Sequence, residues 1–414
     1  MSSAPPRVVR PRPMHVAMYV GAWPLGTNSS GILTYADALR RELVRHGHRM
    51  SIFTGKLDEP GDGLYLVESG IVDRVMNRFR ARLGAVAPGV FGYGKAIARA
   101  IRRVNRDDPI DIIEIEESFG FAGQIAERLN VPVVVKLHGP AFLTTLEQER
   151  ETDFAAKRIR LEGEALSKVA AVIAPAQCTL AETLEHYRIA PAISSRVNNP
   201  IAVNAGEPLW SFDSCDKDTI LFVGRFDQAK GADTMLLAFR KLLDARPRLK
   251  LVFVGPDVGL PLADGRSVQF AEYVRSTFAD ADAKNIEYLG RLTPPQINAL
   301  RIRASVTVVA SRWENQSYAT LEAMLQACPV VCVDAGGQRE LIDHGINGLL
   351  ARKDDVDDLS AQISELLDHP ERGQAFGLAA RAYVLQNHDP SVIAKQMIEL
   401  YEQVISDFKR SAGA

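Results

Sequence analysis

One stretch constrains this chain more than any other: SVTVVA at 305–310, followed by SRWENQSYATLEAMLQACPVVCVDAGGQRE up to residue 340. Residues 305–310 form a short apolar, β-branched run, the pattern of a strand buried on both faces of a parallel sheet. Asn315 or Ser317 can accept the first free N–H groups of a following helix, and Pro329 marks where that helix has stopped. Residues 330–333 read as the next strand, and Gly336-Gly337 turns the chain out of it. Strand, loop, helix and strand in this order belong in an open α/β sheet, where ligands sit outside the carboxyl ends of the strands. Two carboxylates fall on that side, Glu314 in the loop and Glu322 inside the helix. Helix N-termini on the same edge favour anions such as phosphate.

The pattern occurs elsewhere in the chain. Residues 219–223 predict a strand, Gly224-Arg225-Phe226-Asp227-Gln228-Ala229-Lys230-Gly231 a loop, and 232–245 a helix. Two cations in one loop at the carboxyl edge of a sheet suit a diphosphate, Arg225 as a forked donor and Lys230 as a point charge. Residues 249–254 and 285–289 predict further strands, the second ending at Gly290-Arg291, and Thr293-Pro294-Pro295-Gln296 reads as a capping box. In the first half, 15–20 and 49–54 predict strands on either side of a helix whose Ile32, Ala36, Leu39 and Leu43 make a buried stripe. The loop entering that helix, GAWPLGTNSSG, is not GxGxxG and gives weak support to a nicotinamide or flavin site. Residues 110–115, 132–137 and 170–174 complete the strand pattern, with helices at 119–130 and up to Tyr187. His138 sits at the carboxyl end of one of these strands. Residues 197–210, with Asn198-Asn199-Pro200 and Gly206, read as the linker between halves.

Length and composition bound the classes. A chain of 414 residues has room for two or three domains, and a formal net charge of −2 gives no global argument for nucleic acid or an anionic membrane. No run approaches the ~18 apolar residues of a membrane span. Residues 1–13 carry Arg and Pro without an apolar core and read as a disordered tail rather than a secretory signal. Cys178, Cys215, Cys328 and Cys332 form no CxxC and read as small core residues in a reducing cytoplasm. Asp280-Ala281-Asp282 reads as a solvated helix end, so no metal ligands are assigned. Residues 71–85 set Val72, Val75, Met76, Phe79 and Leu83 among Arg74, Arg78, Arg80 and Arg82. Such a basic amphipathic helix lies on a membrane, holds an anionic acceptor or packs on its own sheet; the pattern leaves all three open.

Taken together, Glu314, Glu322 with Ala323-Met324, the Pro329-Val330 pair and Gly336-Gly337 with Glu340 resemble the donor-site signature of retaining family-4 glycosyltransferases. Gly224-Arg225 with Lys230-Gly231 resembles their second motif. The resemblance implies the α/β GT-B fold, two doubly wound Rossmann-like domains facing a cleft. Residues 14–203 would form the acceptor side and 204–388 the nucleotide-sugar donor domain, with 389–414 a helix crossing back. It also implies roles: Glu314 and His138 orient the sugar, Glu322 holds the ribose diol, and Arg225 and Lys230 neutralise the diphosphate leaving group. The backbone around Gly224, Gly290 and Arg291 meets the nucleotide, and Ser30-Gly31 approaches the donor phosphate and acceptor. Asn315-Gln316-Ser317-Tyr318 replaces the family's Gly-Phe-Gly-like turn and is expected at the substrate; Ala327 stands where a Gly usually precedes the Cys-Pro pair.

The implied partners are a nucleotide diphosphate sugar as donor substrate, with no cofactor and no metal, and a glycan, lipid-linked or small-molecule acceptor. The implied setting is cell-surface polysaccharide or glycoconjugate biosynthesis, in the cytoplasm, with peripheral membrane contact through 71–85 as one option. Rival readings are a GT-B sugar phosphorylase, a nucleotide-sugar epimerase, and a non-catalytic sugar-nucleotide-binding partner subunit.

Overall fold

The computed structural model describes residues 12–24, 30–68, 70, 92–145, 152–203, 206–262 and 265–412. The basic segment 71–85 lies outside them, as does most of the tail 1–13. Seven strands make the first sheet: β1 (His15–Val20), β2 (Arg49–Thr54), β3 (Leu64–Leu66), β4 (Ile112–Glu116), β5 (Val133–Lys136), β6 (Ala171–Ala174) and β7 (Ile193–Arg196). The second half contributes β8 (Asp216–Val223), β9 (Lys250–Val254), a small antiparallel ribbon of β10 (Leu260–Pro261) and β11 (Ser267–Val268), β12 (Ile286–Gly290), β13 (Ala304–Val309), β14 (Val330–Val333) and β15 (Leu349–Ala351).

Both large sheets are parallel throughout, ordered β3-β2-β1-β4-β5-β6-β7 and β12-β9-β8-β13-β14-β15. In each, the order reverses beside the strand that starts the half, between β1 and β4 and between β8 and β13. Loops leaving two such strands diverge to opposite faces and open a crevice at their carboxyl ends. The loops 224–231 and 310–317, which carry the charged motifs, leave the paired strands β8 and β13 at that point.

Burial on both faces explains the apolar strand runs: all six residues of β1 and four in a row of β13 are buried. The helix Pro390–Ala412 follows the second sheet in sequence, yet Ile393, Met397, Tyr401 and Val404 pack into a core with Met18, Leu39 and Ile173 of the first half. The helix expected at 119–130 covers only Phe121–Ala126. The chain enters it through left-handed Phe119 and Gly120, φ 59° and 71°, which no helix accommodates. A Cβ on Gly120 would lie 2.6 Å from the Leu161 carbonyl oxygen, so this tight entry is set by the helix Asp153–Leu166 packed on it. No described helix is long and apolar enough to cross a membrane, and all four cysteines are free thiols, three of them buried.

Candidate active site

The two charged loops are held together by close backbone packing. Gly231 has φ +64°, and a Cβ there would meet the Ala310 carbonyl oxygen at 2.0 Å, so only glycine lets the loops approach. Arg312 fixes the second loop to the first: its guanidinium donates to both Asp233 oxygens at 2.7 and 2.9 Å and to Asp354 at 2.6 Å. Gly337 donates its N–H to the Glu314 carbonyl at 2.7 Å, and a Cβ on it would fall 1.7 Å from the Asn315 carbonyl oxygen. The glycine pair is thus the floor on which Glu314 rests.

On that frame, Lys230 Nζ donates to Glu314 Oε1 at 2.6 Å. Arg225 Nε donates to Asp227 Oδ2 at 2.5 Å, and Asp227 Oδ1 accepts the Lys230 backbone N–H at 2.8 Å. The Lys230 and Arg225 side chains are 30% and 51% exposed. An ammonium group has three donors and a guanidinium five, so both cations retain donors for an anion in the crevice. Gly224, which opens the loop, donates its N–H to Val254 O. Gly290 ends β12 with φ +61°, and Arg291 beside it is exposed.

Glu322 lies in the helix Tyr318–Leu325 and accepts from Arg301 Nη2 at 2.5 Å. Ser317 caps that helix through its hydroxyl. Asn315, Gln316 and Tyr318, expected at the substrate, use their side chains on the first half of the chain instead. Asn315 Nδ2 donates to Leu137 O at 2.9 Å, Gln316 Oε1 accepts Asn199 N–H at 2.5 Å, and the Tyr318 hydroxyl donates to Pro200 O at 3.1 Å. A glycine-rich turn has no side chains to do this, which gives the departure at 315–318 a physical use. Asn315 Oδ1 remains buried with no hydrogen-bond partner among the described residues.

Across the crevice, Leu137 immediately precedes His138, so the Asn315 bond ties the Glu314 loop to the His138 loop. The His138 and Gly139 N–H groups both donate to the buried Glu117 carboxylate, at 2.9 and 2.6 Å. The His138 ring meets Tyr35 edge-on at 5.3 Å between centroids. Burial, with Lys136 nearby adding to it, pulls the imidazole down to about 3, so the ring is uncharged near neutral pH. Lys136 is itself fully buried; desolvation lowers its ammonium and Glu114 opposes that shift. Ser30 caps the helix Gly31–Arg45, and a Cβ on Gly31 would sit 3.1 Å from the Tyr318 ring, so this pair also faces the second half.

Sequence reasoning missed Glu117 and Arg301, and it placed Glu340 in the donor-site signature without finding its partners. Glu117 was one of several closely spaced glutamates with no distinguishing pattern. Glu340 reaches across the crevice and accepts the Gln177 and Cys178 N–H groups, both at 2.8 Å. Its signal was indirect: the helix Gln177–Tyr187 starts after Ala176, which cannot cap it. Arg301, 1% exposed, carried the clearest unused signal, a cation at the threshold of a buried strand.

Residues 213–383 match the family model of glycosyl transferases group 1, and residues 29–204 match that of glycosyltransferase family 4. The D-inositol 3-phosphate glycosyltransferase of Thermobispora bispora is 26% identical, the match covering 90% of this chain and 98% of that one. The protein of the same name from Kineococcus radiotolerans is 25% identical, covering 94% and 93%. Among solved structures, sucrose-phosphate synthase from Thermosynechococcus elongatus superposes with a TM-score of 0.74 at 19% identity, over 95% of this chain and all of that one (100%). Anabaena HepE in complex with UDP-glucose gives 0.69 at 16% identity, over 94% and 100%. At such identities the structures establish a shared fold.

Proposed function

The chain belongs to the family-4, group 1 glycosyltransferases of the GT-B fold, and from that premise we propose that it is a retaining enzyme using a nucleotide diphosphate sugar. The acceptor is a glycan, a lipid-linked sugar or a small molecule in cell-surface polysaccharide or glycoconjugate biosynthesis. HepE binds UDP and UDP-glucose, which supports a donor of this class. The single observation that carries the reading is the Asn315 bond to Leu137 O. It joins the loop of Glu314, next to Lys230, to the loop of His138, which supports a site drawn from both sheets.

In this reading the diphosphate lies at the loop 224–231, where Arg225 and Lys230 offset the charge that grows on the leaving group. Preorganised charge aimed at developing charge is the largest source of rate in such a site. Glu314 accepts from sugar hydroxyls through the lone pairs not used on Lys230, and neutral His138 contributes a hydrogen bond without adding charge. Glu322 accepts from the ribose diol. With two cations at the phosphate, transfer needs no metal and survives EDTA.

A thermal-shift screen of UDP, GDP and ADP with their sugars tests the reading, because ligand binding to the native state raises the melting temperature by mass action. A shift with one nucleotide and its sugars is expected, followed by donor turnover that depends on added acceptor. Turnover that needs phosphate, or proceeds without any acceptor, would replace this reading with a phosphorylase or an epimerase. Activity lost in EDTA and restored by magnesium would remove the metal-free assignment.

A further inference from the structure

We infer that Arg301 is a positioning residue for nucleotide ribose, acting through Glu322. The inference rests on the proposed ribose role of Glu322. Arg301 ends the helix Pro294–Arg301, directly before β13, and its side chain is 1% exposed. A guanidinium so deeply buried has to be paired, because an isolated buried charge is heavily penalised. Nη2 donates to Glu322 Oε2 at 2.5 Å and Nη1 to Asn298 Oδ1 at 2.9 Å, while Nε has no partner among the described residues. Glu322 is the one carboxylate in contact with it among the described residues.

The pairing is asymmetric. Glu322 is 36% exposed, so the carboxylate stands with one side on a buried cation and the other towards solvent. Its Oε2 is engaged by Arg301. Its Oε1 has no protein donor among the bonds above and is the acceptor left for a ligand hydroxyl. A free surface glutamate samples many rotamers, and ordering it on binding costs affinity. Arg301 removes that cost beforehand, so a ribose hydroxyl meets an acceptor already fixed in place. Asn298 in turn fixes the second Nη. The helix bearing Arg301 and the helix bearing Glu322 are thereby joined behind the ligand rather than in front of it.

Recognition of one ribose hydroxyl can be read by comparing UDP, GDP and ADP with their 2′-deoxy forms by titration calorimetry. The unaltered protein should prefer the ribonucleotide about tenfold or more, the range of a hydrogen bond to a charged group. Glu322→Gln should bring that ratio close to one. Arg301→Met should do the same with the carboxylate still present, and Arg301→Lys should recover part of it. The double variant Arg301→Met with Glu322→Gln removes both charges at once. It should discriminate no better and no worse than Glu322→Gln alone, and it remains usable should Arg301→Met fail to fold. Discrimination kept in Arg301→Met, or lost further in the double variant than in Glu322→Gln, would overturn the positioning role. Discrimination kept in Glu322→Gln would instead overturn the ribose assignment of Glu322, and this inference with it.

Discussion

The two sides of the crevice handle charge in opposite ways. On the second sheet, Lys230 with Glu314, Arg225 with Asp227 and Arg301 with Glu322 are ion pairs, each with at least one member reaching solvent. On the first, Glu117, Lys136 and Glu114 are buried, and burial keeps His138 uncharged. The difference follows from where the groups stand. Those of the second sheet sit mainly in loops beyond the strand ends and on a helix face. Those of the first lie within β4, at the end of β5 or just after these strands. A site divided in this way can offset a charged leaving group from one side and orient a neutral sugar from the other without adding a competing charge.

The comparison breaks most directly at Lys230. Substituting Lys230→Met removes one preorganised cation while keeping the length of the stem. The expected loss is roughly 10²–10³ in kcat, as for deleting one donor to developing charge, measured as donor turnover with a responsive acceptor. A change within threefold would mean that the second sheet does not supply the charge.

Stability separates the two ion pairs within that sheet. Glu322→Ala leaves the buried Arg301 uncompensated. The expected cost is roughly 2–3 kcal/mol in urea unfolding, at the low end for a buried pair because Glu322 is 36% exposed. Glu314→Ala leaves Lys230, already 30% exposed, free to turn to solvent, and should cost less, about 1 kcal/mol. Equal costs would show that Arg301 is not held by Glu322 in solution.

Much of this was legible in the sequence because parallel strands buried on both faces leave a clear apolar signature. The strand and helix of the Lys230 loop and the helix carrying Glu322 lie where periodicity and capping residues put them. What escaped was pairing across the crevice. The contacts of Asn315 with Leu137, Gln316 with Asn199 and Glu340 with the helix at 177 join residues more than a hundred positions apart, and no local pattern encodes them. Glu117 escaped for the same reason, since its partners are backbone N–H groups of another strand's loop. Arg301 escaped because apolar periodicity does not register a lone cation paired inside a core.

Ligand selectivity sharpens the contrast between the two glutamates. Glu322→Gln should weaken the free nucleoside diphosphate and the nucleotide sugar alike, by about tenfold to a hundredfold. Glu314→Gln should leave the diphosphate nearly unchanged and weaken only the intact donor. If both variants weaken the bare diphosphate equally, the division between sugar and ribose is wrong.

The smallest effect belongs to the neutral side. With its folded value near 3, against about 6.5 for a free imidazole, His138 stays uncharged wherever the enzyme is assayed between pH 5.5 and 8. The kcat/KM profile should therefore carry no inflection from it, and the ring proton resonance of His138 should not move in that interval. Stability behaves differently, and its sign is fixed by proton linkage. The unfolded chain binds the proton more readily, so the contribution of neutral His138 is complete above pH 6.5. It is lost as pH falls towards 3, with a slope of at most about 1.4 kcal/mol per pH unit. Between pH 6.5 and 5.5, His138→Gln should show the shallower loss of stability in matched urea titrations, because Gln has no proton to gain. An imidazole that titrates near 6 in the folded protein would place a switchable charge beside the sugar, and the two sides of the crevice would no longer differ in kind.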